Sequence, residues 1–402
     1  MKKFISLLLA TAMTVALVAC GSKEAAAPAA EAPAAEAETE TEEEVEEVAE
    51  EATEETADAE GMKILFVSSP SGVDDGSFNQ NSYKGVEDFV KAHPECTSIA
   101  LKEESGDTEA CRQFVEQNVA DYDAIVCCGF QFAAIGDIAD DNPDKFFILV
   151  DSTPTYEDGS DAECENIYSM CFAEQESGFF AGVAAALETK TNKVAVVNGI
   201  AYPSNVNYQY GFMCGVKYAN AVYGTTAELV ELPSYAGTDV TSANVGGNYI
   251  GSFADQDTGK VVGEALIKEG VDVMLVAAGD SGNGVFTAAK ETENVMVIGC
   301  DADQYDFGDN GSRNIILTSV LKCMDINNER QLNAINDGTF KGGNFTLDAT
   351  TDSTGYISAE GRQQLSADTL TKLAEAYEAV KSGAVVPAAN FNGITPDTFE
   401  VK

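Results

Sequence analysis

The 402-residue chain has no tryptophan, a single histidine, and only 23 basic side chains against 67 acidic ones. Each shortage removes a class of function. His93 is alone, and it precedes Pro94 at the end of a helix-like run, so a Ser-His-Asp or Cys-His nucleophile has no imidazole to work with. Zinc is excluded with it, because the ten cysteines form no CxxC pair and match no zinc-ligand spacing. Beyond the first twenty residues no apolar run is long enough to cross a bilayer. No phosphate loop is present either: GDSGNG (279–284) reads GxxGxG rather than GxGxxG, and no Lys-Ser/Thr follows. Neither a cofactor nor a metal is expected.

What is present begins with a targeting segment. Lys2 and Lys3 precede the uncharged run FISLLLATAMTVALV, which ends at Ala19-Cys20-Gly21-Ser22. A small residue directly before cysteine resembles the lipobox of bacterial lipoproteins, in which Cys20 becomes the lipidated N-terminus. Residues 1–20 are therefore expected to be a lipoprotein signal peptide. Residues 21–61 carry sixteen acidic side chains and one lysine among Ala, Thr and Pro, a composition that cannot repay ordering entropy. They predict a disordered tether that separates anchor from domain by roughly 35 Å. The remaining chain holds 20 basic and 51 acidic side chains, a field that repels phosphates and disfavours nucleic acid and nucleotides as partners. Nine cysteines remain after Cys20, mostly in apolar settings such as AIVCCGF and YSMCFAE. They read as buried, reduced thiols, with one bridge still open to an exported protein.

From Lys63 short apolar runs (KILFVSS, TSIALKEE, DAIVCCG, KFFILVD) alternate with longer amphipathic ones (SYKGVEDFVKAH, EACRQFVEQNV, FAAIGDIADDNP). The pattern restarts at KVAVVNGI and runs through AELVELP, VDVMLVAAG and VMVIGCD. This is an α/β chain of two doubly wound parallel-sheet lobes, and ligands of such sheets sit beyond the carboxyl ends of the strands. The expected N-terminal lobe is 62–170 with about 303–338, and the expected C-terminal lobe is 171–302 with about 339–402.

The strand ends carry the chemistry. VDDGSFNQ (73–80) follows the first strand: Asp75 and Ser77 can cap the next helix, with Ser77 at the N-cap, but capping alone requires neither the Phe78 ring nor Asn79. GSFAD (251–255) places Phe253 in a similar turn of the second cassette, where it is either a core residue or a second ring able to close on a flat ligand. Gly279 lets backbone amides approach a ligand. Asp301 and Asp303 end the strand VMVIG, and Lys322 ends IILTSVLK. Two carboxylates can do acid-base work, or Asp301 can accept from the vicinal hydroxyls of a sugar.

VDDGSFNQ, FAEQESGFFAG, GSFADQDTGK, AAGDSGNGV, IGCDADQ and LTSVLK occur in this order, and with the lipobox they resemble the basic membrane protein (BMP), or PnrA-like, lipoprotein family. The resemblance implies a type I periplasmic-binding-protein fold with about three crossings between lobes. It implies a non-enzymatic, lipid-anchored protein on the extracytoplasmic face of the cell membrane, which passes purine nucleosides to ABC permease subunits and acts as a monomer. By the family pattern Asp75, Phe78 and Asn79 face the base, Phe253 opposes them, and Gly279, Asp301 and Lys322 hold the ribose. Two positions depart from that pattern: Ala134 stands near where an acidic residue is usual, and Cys300 replaces a valine. A sugar-binding or sensor lipoprotein, or a nucleoside hydrolase using Asp301 and Asp303, are the alternatives.

Overall fold

The apolar runs form strands buried on both faces, which is why they read as nearly unbroken hydrophobic stretches. A computed structural model describes residues 61–401. Cys20, the signal segment and, apart from Gly61, the tether lie outside the described residues.

In the first half β1 (Lys63–Ser68), β2 (Thr97–Lys102), β3 (Ala124–Cys128), β4 (Phe146–Val150) and β5 (Ile167–Phe172) alternate with α1 (Phe78–Ala92), α2 (Thr108–Asn118) and α3 (Gly136–Asp141). The second half holds α4 (Glu174–Glu188), β6 (Lys193–Asn198), α5 (Pro203–Val222), β7 (Glu228–Leu229), α6 (Gln256–Lys268), β10 (Val273–Ala277), α7 (Gly282–Glu291) and β11 (Met296–Gly299). Between β7 and α6 a small antiparallel excursion, β8 (Gly237–Thr238) with β9 (Asn244–Gly246), interrupts the alternation. The return segment supplies β12 (Ile316–Lys322), α8 (Met324–Asn336), β13 (Gly343–Leu347), β14 (Thr354–Tyr356) and α9 (Ala367–Lys381).

These strands make two six-stranded sheets, ordered β13-β5-β4-β3-β1-β2 and β14-β12-β11-β10-β6-β7. All pairings are parallel except β12 with β14. Alternate residues serve opposite layers: Ile64 and Phe66 of β1 pack with α1 and α8, whereas Leu65 and Val67 pack toward α2 and α3. In the second sheet Val194 and Val196 join the core under α4, α5 and α9, and Ala195 and Val197 join the one under α6 and α7.

The chain passes between halves three times: from β5 into α4, from β12 into α8, and from β13 into β14. The expected division of the return segment is corrected here. β12 lies in the second sheet, where its both-sides-apolar run pairs with β11, and β13 adds an edge to the first sheet rather than the second. Each sheet thus takes strands from the return segment, which the reading of five strands per cassette did not require. AELVELP yields only the two-residue β7.

Helices α4 and α5 meet through glycine. A Cβ at Gly178 or Gly182 would lie 2.3 or 2.2 Å from the carbonyl oxygens of Tyr208 and Phe212, and one at Gly211 or Gly215 would lie 2.1 Å from those of Gln175 and Phe179. The two backbones are therefore in direct contact. That contact fixes Glu174, at the start of α4, beside α5, where Asn207 Nδ2 donates to its Oε2 at 3.0 Å.

Candidate functional site

The carboxyl ends of both sheets face one cleft of about 330 Å³, inside the roughly 300–1,000 Å³ range of small-molecule sites. Every residue expected from the sequence, Asp75, Phe78, Asn79, Phe253, Gly279, Asp301 and Lys322, lines it.

The turn after β1 is organised by Asp75. Its carboxylate accepts from the backbone amides of Ser77, Asn79 and Gln80 at 3.0 Å each, and from Asn79 Nδ2 at 2.8 Å. Those four bonds fill its acceptor sites, so Asp75 caps α1 and shapes the wall of the cleft. Asn79 is similarly committed: its Oδ1 accepts from the Ser69 amide at 3.1 Å, and its Nδ2 also donates to Ser69 Oγ at 2.9 Å. In this arrangement Asp75 has no acceptor site left over, and Asn79 keeps only the second lone pair of Oδ1. Ser77 occupies the N-cap position without making a cap bond. Its hydroxyl donates instead to Asp301 Oδ2, in the second half, at 2.9 Å. The glycine between them, Gly76, has φ +70°, and a Cβ there would lie 2.8 Å from the Phe307 ring.

Asp301 is buried, with φ +70°, in a left-handed conformation rare for a residue with a side chain. Its Oδ1 accepts from the Tyr208 hydroxyl at 3.0 Å. Asp151, at the end of β4, holds the matching position in the first half and has φ +67°. Between them lies Lys322, 2% exposed, 2.5 Å from Asp151 and 3.0 Å from Glu174 Oε1. Its ammonium also sits over the rings of Phe78 and Phe172, at 5.2 and 5.3 Å from their centroids. Burial works against the Lys322 charge, but Asp151, Glu174 and Asp301 outweigh it and hold its pKa above the ordinary lysine value. Burial pushes the Asp151 carboxyl up to about 7, against the pull of Lys322.

Phe78 enters the cleft from the first half and Phe253 from the second. Phe253 packs so closely on Gly199 that a Cβ there would lie 2.2 Å from its ring. The ring adjoining Phe253 is Tyr202, with centroids 5.8 Å apart, and Tyr202 in turn meets Phe130 of the first half at 5.3 Å. An aromatic row therefore crosses the gap between the sheets. Ser71 Oγ, donating to the Phe253 carbonyl at 3.0 Å, and Gln304 Nε2, donating to the Gly76 carbonyl at 2.8 Å, add to the contact between halves.

Asp303 does not join Asp301 in the cleft. Its Oδ2 accepts from Arg362 Nε at 2.6 Å, so the carboxylate pair required by the hydrolase alternative is not assembled. Gly279 does line the cleft, with φ +53°.

Sequence reading missed Asp151, Glu174, Tyr202, Phe130, Gln131 and Tyr208. For four of them a signal was present. KFFILVD and VMVIGCD end their strands in the same way, GFQF follows β3 more directly than VDDGSF follows β1, and Glu174 lies inside FAEQESGFFAG. All nine cysteines among the described residues are free, eight of them buried. No helix among those residues is long and apolar enough to cross a membrane.

A family model described as ABC transporter substrate-binding protein PnrA-like matches residues 63–232 and 236–384. The chain is 29% identical over 337 residues to the CD4+ T-cell-stimulating antigen of Listeria monocytogenes, covering 80% of this chain and 87% of that one. It is 28% identical over 297 residues to the ABC transporter nucleoside-binding protein BmpA of Lactococcus lactis, covering 70% and 77%. Among solved structures, an ABC transporter solute-binding protein from Aeropyrum pernix K1 superposes with a TM-score of 0.69 at 22% identity, covering 84% of this chain and 96% of that one, a likeness of fold. The chain therefore belongs to the PnrA-like family of ABC transporter substrate-binding proteins.

Proposed function

We propose that this protein captures purine nucleosides for an ABC importer, outside the cell membrane and tethered by a lipid on Cys20. One observation carries the reading. A single cleft holds rings from both halves, Phe78 and Phe130 on one side and Phe253 and Tyr202 on the other, beside a buried carboxylate and ammonium. A base stacks on the rings at about 1–3 kcal/mol per base, and the ribose hydroxyls donate to the lone pairs that Asp301 keeps after Ser77 and Tyr208 are satisfied. Lys322 donates its remaining proton toward the sugar.

Binding needs no chemistry. A ligand touching both halves stabilises the arrangement in which they meet, and the permease reads that shape. The sugar end of the cleft carries Asp151 and Asp301, with Glu174 against Lys322, so three carboxylates face one cation and a 5′-phosphate is repelled where a hydroxyl is accepted. Titration calorimetry tests the reading. Inosine is expected to bind at micromolar affinity or tighter, 2′,3′-dideoxyinosine at least tenfold more weakly, and inosine monophosphate not measurably. Failure of every purine nucleoside to bind would sink the proposal, and equal affinity for inosine and its dideoxy form would remove Asp301 from it.

A further inference from the structure

The geometry points to Gln131 as the residue that reads the edge of the base, an inference that rests on the nucleoside reading above. Three carboxamides line the cleft, and in two of them both amide protons are committed. Asn79 makes the three bonds already described, and Asn205 donates through Nδ2 to the Ala277 carbonyl at 2.8 Å and to Asn198 Oδ1 at 3.3 Å. Gln131 is 5% exposed, yet its side chain makes one long bond, from Nε2 to the Cys128 carbonyl at 3.4 Å. No hydrogen bond reaches its side-chain oxygen among the described residues. A buried amide held so loosely within the protein retains a donor and an acceptor for something else.

The turn is built around it. Gly129 has φ +126° and ψ 160°, a backbone region open essentially to glycine alone. A Cβ there would lie 2.6 Å from Gln131 Oε1 and 2.9 Å from its Nε2. Glycine at 129 therefore both permits the turn and makes room for the carboxamide. The neighbouring residue, Phe130, supplies a ring of the aromatic row, so one short turn carries a stacking face and an edge-directed amide. Ala134, farther along the same segment, lies outside the cleft lining and has no hydrogen-bonding side chain.

A neutral amide has one donor beside one acceptor. It matches a base edge that offers the complementary pair, such as the amino group and ring nitrogen of adenine or the N1–H and O6 of hypoxanthine. It requires no charge, and a carboxylate in its place would favour the two adjacent N–H groups of guanine.

The test compares adenosine, inosine, guanosine and purine riboside, which lacks the exocyclic group, by calorimetry on the wild type, Gln131→Leu and the isosteric Gln131→Glu. The wild type is expected to favour adenosine and inosine over purine riboside by about tenfold or more. Gln131→Leu erases most of that preference, because adenosine and inosine lose two bonds to the amide whereas purine riboside, which keeps only the ring nitrogen, loses one. Gln131→Glu, which keeps the packing around Gly129, moves the guanosine-to-adenosine ratio toward guanosine by about tenfold. Preferences unchanged in both variants overturn the role of Gln131 and leave the nucleoside reading intact. Absence of nucleoside binding in the wild type overturns both.

Discussion

Replacing Lys322 by methionine removes the one cation from a buried group that contains Asp151, Glu174 and Asp301. At an effective dielectric of 20, one unit pair 3.0 Å apart is worth about 5 kcal/mol before desolvation is charged against it. The net cost of breaking a buried pair is smaller, about 3–5 kcal/mol, because it is dominated by the carboxylates left behind. Those carboxylates can escape by taking up protons, and this gives the loss a pH dependence. Without Lys322 the folded-state pKa of Asp151 rises further above the unfolded value, so from about pH 4 upward the folded chain holds a proton that the unfolded chain has released. Stability then falls as pH rises, by up to about 1.4 kcal/mol per unit for each group still protonated in the folded state. Urea denaturation of wild type and variant at pH 5 and pH 8 measures the difference. The variant deficit should be clearly larger at pH 8, and Asp151→Asn added to Lys322→Met should return part of it. A deficit below about 1 kcal/mol at pH 8, or one equal at both pH values, would refute the account of the cluster as a charge-compensated pair.

Two other perturbations follow from packing. Gly182→Ala offers a gain in helix propensity of about 1 kcal/mol, but its Cβ would lie 2.2 Å from the Phe212 carbonyl oxygen, so a net loss of about 3 kcal/mol is expected in urea melts. A stabilised variant would show that α4 and α5 are not in backbone contact. The thiols give an independent check: burial raises Cys164, Cys214 and Cys323 to about 11 and Cys171 to about 12, so the native protein at pH 8 should react slowly with a thiol reagent and the unfolded protein fast, with no change in Tm on adding reductant. Rapid loss of several thiols from the native state would contradict this.

The two-sheet architecture was legible because parallel strands buried on both faces leave unbroken apolar runs, and the place of the cleft followed from the strand ends. The seven expected residues all reach it. What the sequence concealed was the division of labour among them. VDDGSF contains a plausible serine cap, yet Asp75 does the capping and Ser77 turns to Asp301, 224 positions away, a partner no local rule can supply. Asp151 was hidden because its significance depends on Lys322 arriving from the far end of the chain. The return segment was misassigned for the same reason. Its strands are ordinary in sequence, and only the vacant edges of the two sheets decide which one each joins.

The glycine crossing of α4 and α5 has a mechanical meaning. Two helices touching backbone to backbone have no side-chain layer to slide on, so Glu174, Asn207 and Tyr208 travel as a single stiff block with the sheet beneath them. Bending is then left to the three thin strands of chain linking the halves. In the function proposed above, the work done by an arriving ligand would go into swinging the block shut rather than into deforming it.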